Sequence, residues 1–63
     1  MTVREAREKK GMTQMELAVA ADVALTTIAR IENGKMEKTS VGNLLKVCNA
    51  LGCDPASLFT QND

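Results

Sequence analysis

The chain has 63 residues, 44% of them hydrophobic, with 8 Lys and Arg balanced by 8 Asp and Glu. This is globular usage with room for a single core, in a domain that buries only about 60% of the surface its unfolded chain exposes. The lack of histidine excludes His-based triads and His-ligated metals, and a lone aromatic, Phe59, excludes stacking platforms for unpaired bases.

Helix punctuation is clear along the chain, and nothing reads as a strand. Thr2-Val3-Arg4-Glu5 has the form of a capping box, so a first helix is predicted over 3–10, with Gly11 as its left-handed terminator. Thr13-Gln14-Met15-Glu16 repeats the box and opens a second helix over 14–21, with Met12 and Leu17 as its hydrophobic staple. A third helix is expected over 25–33, closed by Gly34. Its cap position holds Ala24, which has no side-chain acceptor and costs ~1 kcal/mol against Ser or Thr. After a polar loop, Ser40 caps a fourth helix over 41–51, where Val41, Leu44, Leu45, Cys48 and Leu51 recur at helical spacing. Asp54-Pro55 opens a short fifth helix over 55–59. The expected fold is all-α: one domain over 1–63, five short helices around one core. That core should hold Ala18, Val23, Ile28, Ile31, Leu44, Leu45, Cys48 and Leu51.

Cys48 and Cys53 cannot complete a four-ligand zinc site alone, and with no other cysteines they suit a reducing cytoplasm. Cys48 reads as a core residue and Cys53 as a half-buried thiol; a disulfide is the alternative, disfavoured by their spacing across a helix end. The near-apolar stretch 17–25 is interrupted by Asp22 and lacks a following small-residue cleavage site, so it does not read as a signal peptide. It is also far below the ~20 residues that cross a bilayer. Neither an enzyme nor a cofactor is expected, and no membrane or small-molecule partner.

The second and third helices carry the functional signal. A turn of three residues, Asp22-Val23-Ala24, lets them cross steeply only if their contact is small, and Ala18 supplies that. Leu17, Ala21, Val23, Ile28 and Ile31 then face inward. Leu25, Thr26, Thr27, Ala29 and Arg30 project outward. This is the layout of a helix-turn-helix, whose second helix enters the DNA major groove.

Gln14-x-x-Leu17-Ala18, Val23, Ile28-x-Arg30-Ile31-Glu32-Asn33-Gly34-Lys35 and Ala50-Leu51-Gly52 resemble the phage Cro/repressor type of helix-turn-helix family, over about residues 3–59. The resemblance implies a lambda-repressor-like five-helix domain that binds operator double-stranded DNA, usually as a dimer, to repress or activate transcription. For this small chain with one recognition helix, a repressor acting as a homodimer on an inverted repeat is expected. By position it implies that Leu25, Thr26, Ala29 and Arg30 face bases, and that Gln14, Thr27, Lys35 and Lys38 meet phosphates. It also implies an ion pair between Arg7 and Glu32. Asp22 stands where the family usually has glycine, and Ala24 where it has a Ser or Thr cap.

Blander readings stand beside these. Arg30, Lys35 and Lys38 could be an ordinary solvated face, because the total charge is zero. Leu25 could belong to the core or to a protein-binding patch. Leu25 and Ala29 offer no bidentate base contact, so a protein-interaction module on the same fold, antitoxin-like or adaptor, is the alternative function.

Overall fold

Two capping boxes set where the chain first becomes helical. In a computed structural model that describes residues 2–35 and 38–53, Glu5 donates its backbone N–H to Thr2 Oγ1 at 3.1 Å. Thr2 returns its own N–H to Glu5 Oε1 at 2.8 Å. Helix α1 (Val3–Lys9) follows. Thr13 and Glu16 make the same reciprocal pair at 3.1 and 2.8 Å, ahead of α2 (Gln14–Ala21). Met12, one residue before that cap, is half-buried and packs against the core, of which Leu17 is a part. Helix α3 (Leu25–Glu32) starts at Ala24 with no side-chain cap bond. Helix α4 (Val41–Leu51) starts at Ser40, whose Oγ accepts from Asn43 N at 3.2 Å.

All four helices stop by one device. In each, an N–H bonds to the carbonyl five residues back: Met12 to Arg7, Val23 to Ala18, Lys35 to Arg30 and Cys53 to Cys48. The residue just before each donor is left-handed: Gly11, Asp22, Gly34 and Gly52. This six-to-one bond satisfies a carbonyl that the helix end would orphan. It also corrects two boundaries. The first and third helices end at Lys9 and Glu32 rather than at 10 and 33, because Lys10 and Asn33 are cap residues between the last helical turn and the glycine. Asp22, with φ 57° and ψ 48°, is the one non-glycine that adopts this conformation among the described residues.

Helix α2 lies at the centre, packed on both α3 and α4, while α1 packs on α3. The core is built from Val3, Ala6, Leu17, Ala18, Ala21, Ile28, Ile31, Leu44, Val47, Cys48 and Leu51. Val23, expected inside, is half-buried against that core. Leu45, also expected inside, is 42% exposed, and Val41 is 63% exposed. The apolar arc of α4 is wider than the strip its neighbours cover. The covered strip runs through Leu44, Val47, Cys48 and Leu51, which leaves Val41 and Leu45 at its outer edge and Val47 fully inside. Cys53 is half-buried, its thiol donating to the Cys48 carbonyl at 3.9 Å.

All regular structure among the described residues is helical, and there are four helices. The predicted helix over 55–59 lies outside the described residues. No helix among them is long and apolar enough to cross a membrane.

Candidate nucleic-acid interface

Ala18 keeps α2 and α3 close enough to cross at a three-residue turn; it is buried, and its carbonyl takes the Val23 N–H at 3.0 Å. Ile28 and Ile31 then point inward from α3, which fixes what the opposite side presents. Thr26, Arg30 and Asn33, at i, i+4 and i+7, are exposed on that side, with Ala29 half-buried between them. Asn33 was not singled out from sequence, because it sat at the end of the expected helix; the i, i+4, i+7 count would have found it. Leu25 is 39% exposed at the edge of this face. It borders a shallow concavity that Met15, Val19 and Val23 also line. Thr27 lies half-buried on the flank.

Past α3, Lys35 and Lys38 are exposed, and the Lys38 N–H bonds to the Lys35 carbonyl at 3.0 Å. Neither lysine, nor Arg30, makes an ion pair with another described residue. Three cations are thus open to solvent along α3 and the segment that follows it.

The interior of the site is a carboxylate. The Glu32 side chain has no exposed surface. Its Oε2 accepts from Arg7 Nε at 2.7 Å, while its Oε1 accepts from Arg7 Nη2 at 3.2 Å and from Gln14 Nε2 at 3.0 Å. Arg4 Nε reaches the same Oε1 at 3.2 Å. Arg7 is also held by its Nη1, which donates to the Met12 carbonyl at 2.7 Å. Burial pushes the Glu32 carboxyl upward, but the hydrogen bonds from Arg7, Gln14 and Arg4 outweigh it and hold Glu32 below the ordinary glutamate range. The hydrogen bond with Glu32 raises Arg7 above the usual arginine value, against the effect of burial.

Gln14, the first residue of α2, is therefore half-buried with one amide hydrogen on Glu32. The capping box uses the N–H groups of Thr13 and Glu16, and those of Gln14 and Met15 have no partner among the described residues. Open amides at the positive end of a helix suit a phosphate.

A family model described as helix-turn-helix matches residues 3–58. No individual curated protein and no solved structure gives a significant match. The matched span takes in all four helices, the turn at Asp22-Val23-Ala24 and the Glu32 cluster that ties α1, α2 and α3 together. The chain belongs to the helix-turn-helix family of the Cro and repressor type, a family of DNA-binding transcription regulators and not of enzymes.

Proposed function

We propose that this chain binds operator DNA sequence-specifically with α3 in the major groove and represses transcription there, in the cytoplasm, as a homodimer on an inverted repeat. The observation that carries the reading is the outer face of α3. Thr26, Ala29 and Arg30, with Leu25 at the edge, project from a helix whose other side is locked into the core. Arg30 can fork onto the two acceptors of a guanine, and Leu25 and Ala29 can meet thymine methyls. Gln14, Thr27, Lys35 and Lys38 would contact the phosphates that hold this register. No cofactor or small-molecule ligand enters the scheme. A domain this small gains from a second copy, and Val41 and Leu45 leave apolar surface on α4 uncovered.

A second reading rests on a different surface. Met15 and Val19 are exposed apolar residues of α2, adjoining Leu25 around the concavity. Such a patch suits a protein partner, as in an antitoxin-like or adaptor domain.

Selection of bound duplexes from a random pool, followed by titration at two salt concentrations, separates the two. Recovery of a common half-site, with affinity falling steeply with salt, is expected. A chain that enriches no sequence and shifts no duplex at low salt overturns the DNA reading and leaves the interaction module.

A further inference from the structure

One buried carboxylate in this fold has two arginines, and only one of them is needed to neutralise it. Arg7 does that work completely. Its Nε and Nη2 are on Glu32, its Nη1 is on the Met12 carbonyl, and its side chain is only 12% exposed. Arg4 adds a second positive charge to the same group through Nε alone. Its side chain is 55% exposed, and its two Nη groups have no partner among the described residues. Glu8, one turn further along α1, makes no ion pair with it.

Stability does not account for this second arginine. A half-exposed pair at one N–H adds little to stability, and the Arg7 pair already compensates the Glu32 charge. What Glu32 does for Arg4 is orient it. The guanidinium is planar and rigid, so anchoring Nε to the interior leaves the Nη edge turned to solvent. Arg4 Nε and Gln14 Nε2 also share one acceptor, Glu32 Oε1, at 3.2 and 3.0 Å. The two side chains are therefore neighbours, although one comes from α1 and the other from the start of α2.

We propose that Arg4 is a phosphate-binding residue, supplied by α1 and aimed by Glu32, which extends the backbone contact made at Gln14. The proposal rests on the DNA-binding reading above. A fixed cation with open donors beside an amide suits an anionic oxygen better than any neutral ligand. The contact is with backbone and not with bases, so it should be blind to sequence.

The test uses the full chain, the best duplex from the selection and a scrambled duplex, each titrated across a range of salt. Arg4→Gln removes the charge and keeps an amide donor for Glu32; Arg4→Lys keeps the charge. Arg4→Gln should weaken both duplexes by the same factor and reduce the salt slope by about one, with a thermal midpoint close to wild type. Arg4→Lys should keep the wild-type slope. An Arg4→Gln chain with unchanged slope and affinity makes Arg4 a surface ion pair and overturns the proposal. If Arg4→Gln melts early, Arg4→Lys decides: a slope reduced as far as in Arg4→Gln also overturns it. A wild-type chain that binds no duplex overturns the DNA reading, and Arg4's role with it; that result is distinct because it appears without any substitution.

Discussion

Glu32 at the end of α3 and Arg7 in the middle of α1 meet at 2.7 Å with the carboxylate fully enclosed, and this pair fixes the angle at which the outer face of α3 is presented. Removing Glu32 strands Arg7 in the interior, and removing Arg7 leaves the enclosed carboxylate with only the half-exposed Arg4 and the neutral Gln14 amide. Arg7→Ala or Glu32→Ala should each cost ~3–5 kcal/mol, and the double replacement Arg7→Met with Glu32→Leu much less. A core of this size supplies about 3–5 kcal/mol in total, so either single variant should be largely unfolded. Urea midpoints for the three chains check this. Equal, small losses from both single substitutions would mean that the pair is screened by solvent after all.

The same carboxylate makes stability depend on pH, and the sign follows from its lowered pKa. An ordinary glutamate titrates near ~4.3, so the unfolded chain binds this proton at a higher pH than the folded chain does. The contribution of Glu32 is thus fully present above that value and is lost as pH falls toward the folded pKa. Glu5 is lowered too, chiefly through its backbone hydrogen bond with Thr2, and adds loss in the same direction. Carboxyl-carbon titration by NMR should place the Glu32 midpoint below the ordinary glutamate value of ~4.3. A Glu32 midpoint above that value would mean that burial outweighs its donors.

Of the four described helices, α3 is the one whose N-cap makes no side-chain bond, and that deficit can be repaired. Ala24→Ser should let the new hydroxyl accept the Thr26 N–H, since the Thr27 N–H is already on the Ala24 carbonyl at 3.0 Å, a gain of about 1 kcal/mol. In a domain of this size that is roughly 4–8 °C in Tm. Asp22→Gly should relieve left-handed strain at φ 57° and move the midpoint the same way, by less, since glycine also loosens the unfolded chain. Thermal melts of both variants test the two claims. A lower Tm for Ala24→Ser would show that the α3 start is held by something other than its caps.

Helix ends were readable from sequence because each depends on residues three to six apart. Thr2 with Glu5, Thr13 with Glu16, and the glycines at 11, 34 and 52 settle their own geometry before any packing occurs. The buried strip of α4 was not readable to the same degree. Its apolar residues cover more arc than one neighbour can bury, and whether Val47 or Leu45 turns inward depends on where α2 lies. The convergence of Arg4 and Gln14 on Glu32 was hidden for a stronger reason: the three residues are 28 and 18 positions apart, and only the packed helices bring them together.

The α4 strip gives its own measurement. Val47→Ala removes two buried methyl equivalents and leaves a void, which should cost ~2–3 kcal/mol. Leu45→Ala removes more atoms, but from a side chain already 42% exposed at the edge of the strip, and should cost below ~1 kcal/mol. Denaturant midpoints that rank the two the other way would mean that Leu45 is covered in solution, by a second copy of the chain for example. Sedimentation of the Leu45→Ala chain would then show the loss of that dimer.

On the proposed interface one residue should read bases while others hold the DNA backbone. Arg30 is exposed on the outer face of α3 and makes no ion pair with a described residue, so its guanidinium is free to fork onto guanine. Leu25 and Ala29 offer no donor, and Thr26 is short. Arg30→Ala should therefore cost ~1–3 kcal/mol at one base position and relax preference there alone. Lys35 lies beyond the helix end, where the proposed reading has it meet a phosphate and not a base. Lys35→Ala should weaken every duplex by the same factor and reduce the salt slope by about one. Gln14→Ala should also act on every duplex, but with little change in slope, because the amide it removes carries no charge. Half-sites of the inverted repeat should lie about one helical turn apart, ~34 Å between centres, if two copies bind together. Binding to a panel of single-base variants at two salt concentrations checks all three substitutions at once. If Arg30→Ala shifts every duplex equally, Arg30 grips the backbone, and the bases are read from another part of α3.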